Sequence, residues 1–274
     1  MELQQSPVYQ KYIKSLGWEV LTLDRIAIYM RPIPLLGRLA KIQRPSELPY
    51  IPKLVPFLKS HHIRNVAFEA ALGADEQAFQ TYIQSLSKFF PIHKESFLQT
   101  KSILIDIDKS EKDVFNALSE SKRRAVRRAI KNTVVVKESQ TIQDLISIKN
   151  SSAGMFGSIT TYGVEKLWNL FAPHQSSVLI AYHNDIPVGG VLLLFHEDTS
   201  YYWIAGATKY GKKLFAPTLL VWEALRLSQK KGMKTFDFVG VFDERTPKQF
   251  ASWKGFTKFK EGFGGKEIYY PIIH

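Results

Sequence analysis

The chain contains no cysteine. Disulfides, thiolate metal sites and cysteine nucleophiles are therefore excluded, and the composition fits a reducing compartment. Long apolar runs are missing too. A membrane-spanning helix needs about 18 consecutive apolar residues. The longest apolar stretch here, Val188–Phe195, is short and carries two glycines. The opening residues, Met1-Glu-Leu-Gln-Gln, have no basic segment leading into an apolar core, so no signal peptide is expected. There is no low-complexity tract and no exact internal repeat. The seven histidines include the pair His61-His62 but no His-Glu-x-x-His or other metal spacing. A Gly-x-Ser-x-Gly elbow and a Walker loop are also absent. These absences point to a cytoplasmic protein, able to touch the inner membrane surface, with no metal.

What is present is mostly positive charge. Lys and Arg number 37 against 25 Asp and Glu, a formal net charge of +12. A polyanionic partner is indicated: nucleic acid, a phosphorylated substrate or an anionic membrane face. With 45% hydrophobic and 23% charged residues, the chain has a globular composition. Its 274 residues suffice for one large domain or two of ordinary size.

The residue pattern alternates between strand and helix, which predicts an α/β fold of helices on a sheet. A helix is expected over Val8–Leu16 and stopped by Gly17. Strands come next at Glu19–Leu23, Ala27–Arg31, Asn65–Glu69 and Ser102–Ile107, with helices at Leu54–His62 and Gln77–Phe89. One long helix is expected over Glu111–Lys131. Ser110 and Asp113 start it in the manner of a capping box, and Val114, Leu118, Val126 and Ile130 fall on roughly one face. A strand at Val134–Val136 and a helix at Asp144–Asn150 come next, with the domain boundary near residues 138–144. Gly154–Thr161 reads as a loop. The second segment has a helix at Val164–Phe171 and strands at Ser177–Tyr182, Val188–Phe195 and Thr199–Ala205. Gly206–Lys213 then reads as a loop, Pro217–Lys231 as a helix capped by Gly232, and Thr235–Val239 as a strand.

Four groups of residues could carry chemistry. In the strand–loop–helix–strand block from Thr199 to Val241, the helix N-terminus makes an anion site. Its loop holds Lys209, Tyr210, Lys212 and Lys213 with a single glycine, Gly211. A basic helix carries Arg123, Arg124, Arg127, Arg128 and Lys131, in which Arg123 sits above Arg127 and Arg124 above Arg128. Guanidinium forks pair bidentately with phosphate. The plain alternative is a solvated face. Third, Trp253–Lys266 interleaves aromatics with Lys and Gly, suited to stacking a base while lysine meets phosphate. The plain alternative there is a β-hairpin whose aromatics fill the core. From Lys209 to Lys266 there are 13 basic and five acidic residues, so most of the net charge lies in this half. Fourth, Asp106 and Asp108 share one face of the strand Ser102–Ile107, and either could act as a general base.

Taken in order along the chain, several blocks resemble the Fem family of nonribosomal peptidyltransferases, the FemXAB or methicillin-resistance-factor group. Gly17-Trp18 resembles the family's start. Ile42-Gln43-Arg44-Pro45 resembles its Arg-Gly-Pro turn, without the glycine. Ser121–Ala129 is similar to its Arg-x-x-Ile-Arg-Lys-Ala helix. Ala205-Gly206-Ala207 and Phe236–Gly240 look like strands of its second domain. Gly255–Gly264 looks like its closing Gly-Leu-x-x-Phe-Lys-x-x-Phe-Gly.

The resemblance implies two GNAT-like (acyl-CoA N-acyltransferase-like) domains in tandem, residues 1–140 and 141–267, the first completed by 268–274. Each would have a mixed sheet with flanking helices. No coiled-coil arm is expected, since no heptad segment interrupts the second half. It further implies transfer of an amino acid from aminoacyl-tRNA, a co-substrate in place of any cofactor, to a stem-peptide amine of a peptidoglycan precursor. That acceptor would be UDP-MurNAc-pentapeptide or lipid II. The family's Phe-Lys pair carries over to Phe259 and Lys260. Substrate contacts are assigned to Lys209, Tyr210, Lys212, Lys213 and Arg44, and tRNA contacts to the basic helix. In GNAT enzymes the loop before the helix grips coenzyme A with a Gly-rich sequence, of which only Gly211 remains here. Three other readings stand beside this one: an N-acyltransferase using acyl-CoA or acyl-carrier protein, an aminoacyl-tRNA–protein transferase, and a non-catalytic RNA-binding module.

Overall fold

The computed structural model describes residues 1–34, 37–153 and 161–274. The chain forms two compact units, one of Met1–Lys101 with Ile268–His274 and the other of Ser102–Glu267. The division falls at Lys101/Ser102, whereas the sequence places it at 140/141. The reason lies in the second core. Ile103, Ile105, Val114, Leu118, Val126 and Ala129 are buried together with Leu193, Leu220 and Phe236, so the segment 102–140 packs with the C-terminal half of the chain.

The first unit opens with α1 (Pro7–Ser15), whose N-cap Ser6 accepts the Tyr9 N–H and whose first residue is proline. Four strands take the order β1-β2-β3-β4. They are β1 (Glu19–Leu23), β2 (Ile26–Ile33), β3 (Gly37–Gln43) and β4 (Ile63–Glu69), with β3 and β4 parallel. The sequence pattern misses β3, which lies close behind Pro32 and Pro34. Helices α2 (Ile51–Ser60) and α3 (Glu76–Ser87) cover the sheet through Leu54, Leu58, Phe79 and Ile83. Trp18 and Phe97 sandwich the Lys41 ammonium at 4.6 and 3.4 Å.

Arg44, assigned to substrate binding from the sequence, is only 1% exposed. Its guanidinium lies over the Tyr270 ring at 3.6 Å, donates to Gln99 O at 2.9 Å and sits 3.8 Å from the Glu2 carboxylate. It is a buried strut that ties the C-terminal segment into this unit, and it presents no surface to a substrate. Its backbone is left-handed, with φ 49°.

The second unit is built on a seven-stranded sheet in the order β11-β5-β10-β9-β8-β7-β6. These strands are β5 (Lys101–Asp106), β6 (Val135–Ser139), β7 (Ser176–His183), β8 (Ile186–His196), β9 (Thr199–Ala207), β10 (Thr235–Asp237) and β11 (Lys266–Tyr269). Strands β6 to β9 form an antiparallel meander. Asn184 and Asp185, both with positive φ, make the two-residue β7–β8 turn, the left-handed conformation such hairpins demand. β10 returns parallel to β9. The helices are α4 (Glu111–Ala117), α5 (Glu120–Lys131), α6 (Gln143–Ala153), α7 (Val164–Phe171), α8 (Lys209–Lys213), α9 (Ala216–Lys230) and α10 (Lys254–Glu261).

Two expectations and one plain alternative fail here. The single helix over 111–131 is two helices. Leu118 is extended (ψ 144°), Ser119 caps α5, and Arg123 donates to Asn116 O and Leu118 O at the end of α4. Satisfying those end carbonyls makes the break stable, and it leaves Ile130 58% exposed instead of on the buried face. The Gly206–Lys213 loop contains the short helix α8, started by the Thr208 hydroxyl on the Gly211 N–H. Residues 254–261 form α10, not one arm of a hairpin. The loop expected at 154–161 lies, apart from Thr161, outside the described residues.

Gly211 fixes how closely α8 approaches β8. A Cβ there would sit 2.2 Å from Val188 O, and backbone cannot yield as a flexible side chain does. Gly211→Ala is expected to cost about 2 kcal/mol or more, as overpacking against fixed atoms does. Denaturant unfolding at unchanged m-value would show it.

Candidate active site

In the second unit α10 begins on aromatic residues and turns its Thr257/Lys260 face inward, since residues three apart share a face. Thr257 Oγ1 accepts the Phe242 N–H at 2.7 Å and donates to Trp253 O at 2.9 Å, which fixes the helix's rotation. Lys260, 8% exposed, then reaches the chain leaving β10. Its Nζ donates to Phe238 O at 2.8 Å and to Gly240 O at 2.7 Å. Those carbonyls converge because the backbone bends sharply, with Val239 at φ 51° and Gly240 at φ 98°. Positive φ is costly for a β-branched residue. Here the Asp237 carboxylate holds it, accepting the Val239 N–H at 2.7 Å. Ser102 Oγ donates to Asp237 and accepts the Gly240 N–H at 3.2 Å.

Burial pushes the Lys260 ammonium down to about 8; Asp237 opposes the fall and Lys149 adds to it. Lys149, half-buried on α6, donates to Ala205 O at 3.2 Å and is itself lowered by burial and by Lys212. All three lysines line one cavity of about 780 Å³. Its walls include Tyr202, Trp203, Trp253, Phe256 and Phe259, and among the described residues its lining holds no carboxylate. Such a space accepts an anion with a planar group: ammonium groups for phosphate, aromatic faces for a ring.

The structure thus gathers Lys260, Phe259 and Lys212 from the sequence-derived candidates. Phe259 also receives the Lys122 Nζ at 3.7 Å over its ring, so the basic helix α5 buttresses the lysine's helix. Other candidates lie elsewhere. Asp106 and Asp108 do not line the cavity. Asp106 is an exposed strand-end carboxylate held low by Lys109 and by the Asp108 N–H, which leaves neither placed as a base for chemistry there. Lys209 and Lys213 are exposed outside the lining, and Tyr210 meets His183 edge-on. On α5, Arg123 is committed to its capping carbonyls and Arg124 pairs with Glu120 at 3.2 Å. Arg127, Arg128 and Lys131 are exposed. Among the described residues no group of three or more His, Asp or Glu could hold a metal ion, and no helix is long and apolar enough to cross a membrane.

Sequence reasoning missed Lys149, Ser102 and Asp237. A lone carboxylate between Phe236 and Phe238 in a strand was a usable signal for Asp237. Lys149 sits in an ordinary helical stretch with no motif to mark it.

The comparisons agree with this layout. Residues 175–270 match the FemAB family. That stretch includes β9, α8, α9, β10 and the Lys260 helix. Among solved structures, FemX is similar in fold, with TM-score 0.72 at 15% identity over 98% of this chain and 90% of that one. L-PGS from Bacillus licheniformis has TM-score 0.60 at 11% identity, covering 95% and 85%. A tandem GNAT protein from the clavulanic acid biosynthesis pathway has TM-score 0.55 at 8% identity, covering 89% and 77%. No curated protein matches the sequence. The FemAB match and the GNAT-like α/β fold together support a transferase.

The charge state of Lys260 is testable without substrate. Between about pH 8 and its ordinary 10.5 the lysine is neutral when folded and protonated when unfolded. Stability contributed by this group therefore rises with pH across that window, by up to about 1.4 kcal/mol per unit. Denaturation of wild type and Lys260→Met from pH 7.5 to 10 should show a steeper rise in the wild type, because Lys41 and Lys122, also pushed down to about 8 by burial, add the same rise to both proteins.

Proposed function

We propose that the protein moves an amino acid from aminoacyl-tRNA to a stem-peptide amine of a peptidoglycan precursor, in the cytoplasm and without a further cofactor. The observation that carries this reading is the FemAB match over the segment that contains the half-buried Phe259, the buried Lys260 and most of the residues lining their cavity. UDP-MurNAc-pentapeptide and lipid II are both acceptors of the required class.

The donor is an ester and the product an amide, so the reaction runs downhill and asks mainly for proximity and charge stabilisation. In this mechanism the terminal ribose of the donor enters the cavity, with its base on the aromatic wall and its phosphate toward Lys149 and Lys212. The neutral acceptor amine attacks the ester carbonyl, forming the C–N bond. The Lys260 ammonium, held in place by the Phe238 and Gly240 carbonyls, stabilises the developing oxyanion. As the C–O bond breaks, the amine's proton leaves on the ribose hydroxyl. With no carboxylate in the cavity lining, the substrate supplies its own proton acceptor. Arg127, Arg128 and Lys131 on the exposed face of α5 meet tRNA phosphates further out.

A second reading, N-acyl transfer from acyl-CoA, has the likeness to the tandem GNAT protein in its favour. Mass spectrometry of UDP-MurNAc-pentapeptide and of lipid II, each incubated with protein and a pool of charged tRNAs, separates the two. An RNase-sensitive gain of one amino acid is expected. No gain, with calorimetric binding of coenzyme A, would establish the second reading instead. Lys260→Met should lower single-turnover transfer by about 10²-fold or more, the scale of losing an oxyanion partner. Full turnover in that variant would remove Lys260 from the chemistry. Replacing Arg127, Arg128 and Lys131 by alanine should weaken tRNA binding and make log Kd less steep in log salt by up to three contacts' worth. An unchanged slope would remove α5 from the tRNA path.

A further inference from the structure

The end of the large sheet where β7 turns into β8 carries a surface the cavity chemistry does not use. Its two-residue turn, Asn184-Asp185, projects Ile186, which is 62% exposed. Helix α8 is locked beside this hairpin. Thr208 N–H donates to Val188 O at 3.0 Å, and Gly211 packs directly on the same carbonyl. Tyr210, 50% exposed, stands edge-on to His183 at 5.4 Å, its hydroxyl 3.3 Å from Nδ1. Exposed Lys209 and Lys213 flank Tyr210 along the chain. The acidic groups here are Asp185 in the turn and Asp144, which accepts from the Tyr182 hydroxyl at 3.2 Å.

An aliphatic side chain at a hairpin tip, an aromatic with a polar end, and lysines around them form the composition of a membrane interface. A nucleic acid would use the lysines and the tyrosine, but it offers Ile186 nothing that water does not. An anionic bilayer accommodates all of them.

We propose that this hairpin–helix face docks peripherally on an anionic lipid bilayer. Ile186 and Tyr210 enter the headgroup region, and Lys209 and Lys213 meet lipid phosphates. Lys212 of the same helix lines the cavity, so docking brings the reaction chamber to the membrane surface. The inference stands apart from the identity of the acceptor.

Flotation of the full chain with phosphatidylglycerol–phosphatidylcholine vesicles, and with phosphatidylcholine alone, tests it. Salt-sensitive binding to the anionic vesicles only is expected. Lys209→Gln and Lys213→Gln should each reduce partitioning roughly fivefold, and Ile186→Ser several-fold at unchanged charge. Ile186→Ser should leave RNase-sensitive transfer to the soluble acceptor unchanged, so loss of vesicle binding and failure of the proposed reaction are read separately. No binding to anionic vesicles, or binding that Ile186→Ser leaves intact, overturns the proposal. Binding of bulk RNA that the lysine variants weaken, with vesicles unbound, would reassign the face to nucleic acid.

Discussion

The Lys260 ammonium is buried against two main-chain carbonyls, and much of the second unit is arranged to make that tolerable. An isolated buried cation is expensive. The cost is offset by carbonyl oxygens that a regular strand would have pointed into its ladder. They are available only because the chain bends after β10, and the bend stands only because Asp237 caps the Val239 N–H and Ser102 holds both Asp237 and Gly240. Thr257 then sets the rotation of α10 so that Lys260 meets those oxygens. Remove the bend and the lysine loses its acceptors; remove the lysine and two carbonyls face an apolar pocket with no donor.

The cavity charge arises from the same arrangement. Lys212, Lys149 and Lys260 form a chain of like charges in which each cation depresses the next. Asp237 lies near Lys260 and is already committed to backbone and serine. Like charges collected at the edge of a half-enclosed aromatic cavity are unfavourable until an anion arrives. The phosphate-bearing donor of the proposed function would relieve that mutual repulsion on binding.

Much of this fold was legible because its elements are punctuated. Glu19–Leu23 and Val164–Phe171 are bounded by Gly and Pro or by clear periodicity, and their limits match the pattern. The helix over 111–131 misled because Leu118 fits the helical stripe, and only the Ser119–Glu120 start and Arg123 reaching backwards reveal the break. Strand β3 was hidden by the prolines before it. At the site, Lys260 was legible through a motif, whereas Asp106 and Asp108 were attractive only as a pair on a strand. That Asp237 supports the bend beneath Lys260 depends on a parallel return, β9 to β10, that no local pattern encodes. Arg44 shows the converse error. Arginine in a turn reads as a surface ligand, yet Tyr270, more than 200 residues later, covers it.

The excess positive charge divides into two kinds, and the division bears on mechanism. Some of it is structural: Arg44 under Tyr270, Arg123 on the α4 carbonyls, and Lys122 with its stem on Gly262 and its ammonium on Phe259. These cations are spent inside the protein and attract nothing. The Lys122 contact is the informative one, because it joins the two blocks that look most like recognition motifs, the basic helix and the Phe-Lys helix. Residues 121–129 and 255–264 are therefore one mechanical piece before they are two binding elements. What remains for partners is the exposed side of α5, the lysines of the cavity and those of α8. The exposed Arg127, Arg128 and Lys131 therefore stand on the same helix that buttresses Phe259 and, through it, the helix of Lys260.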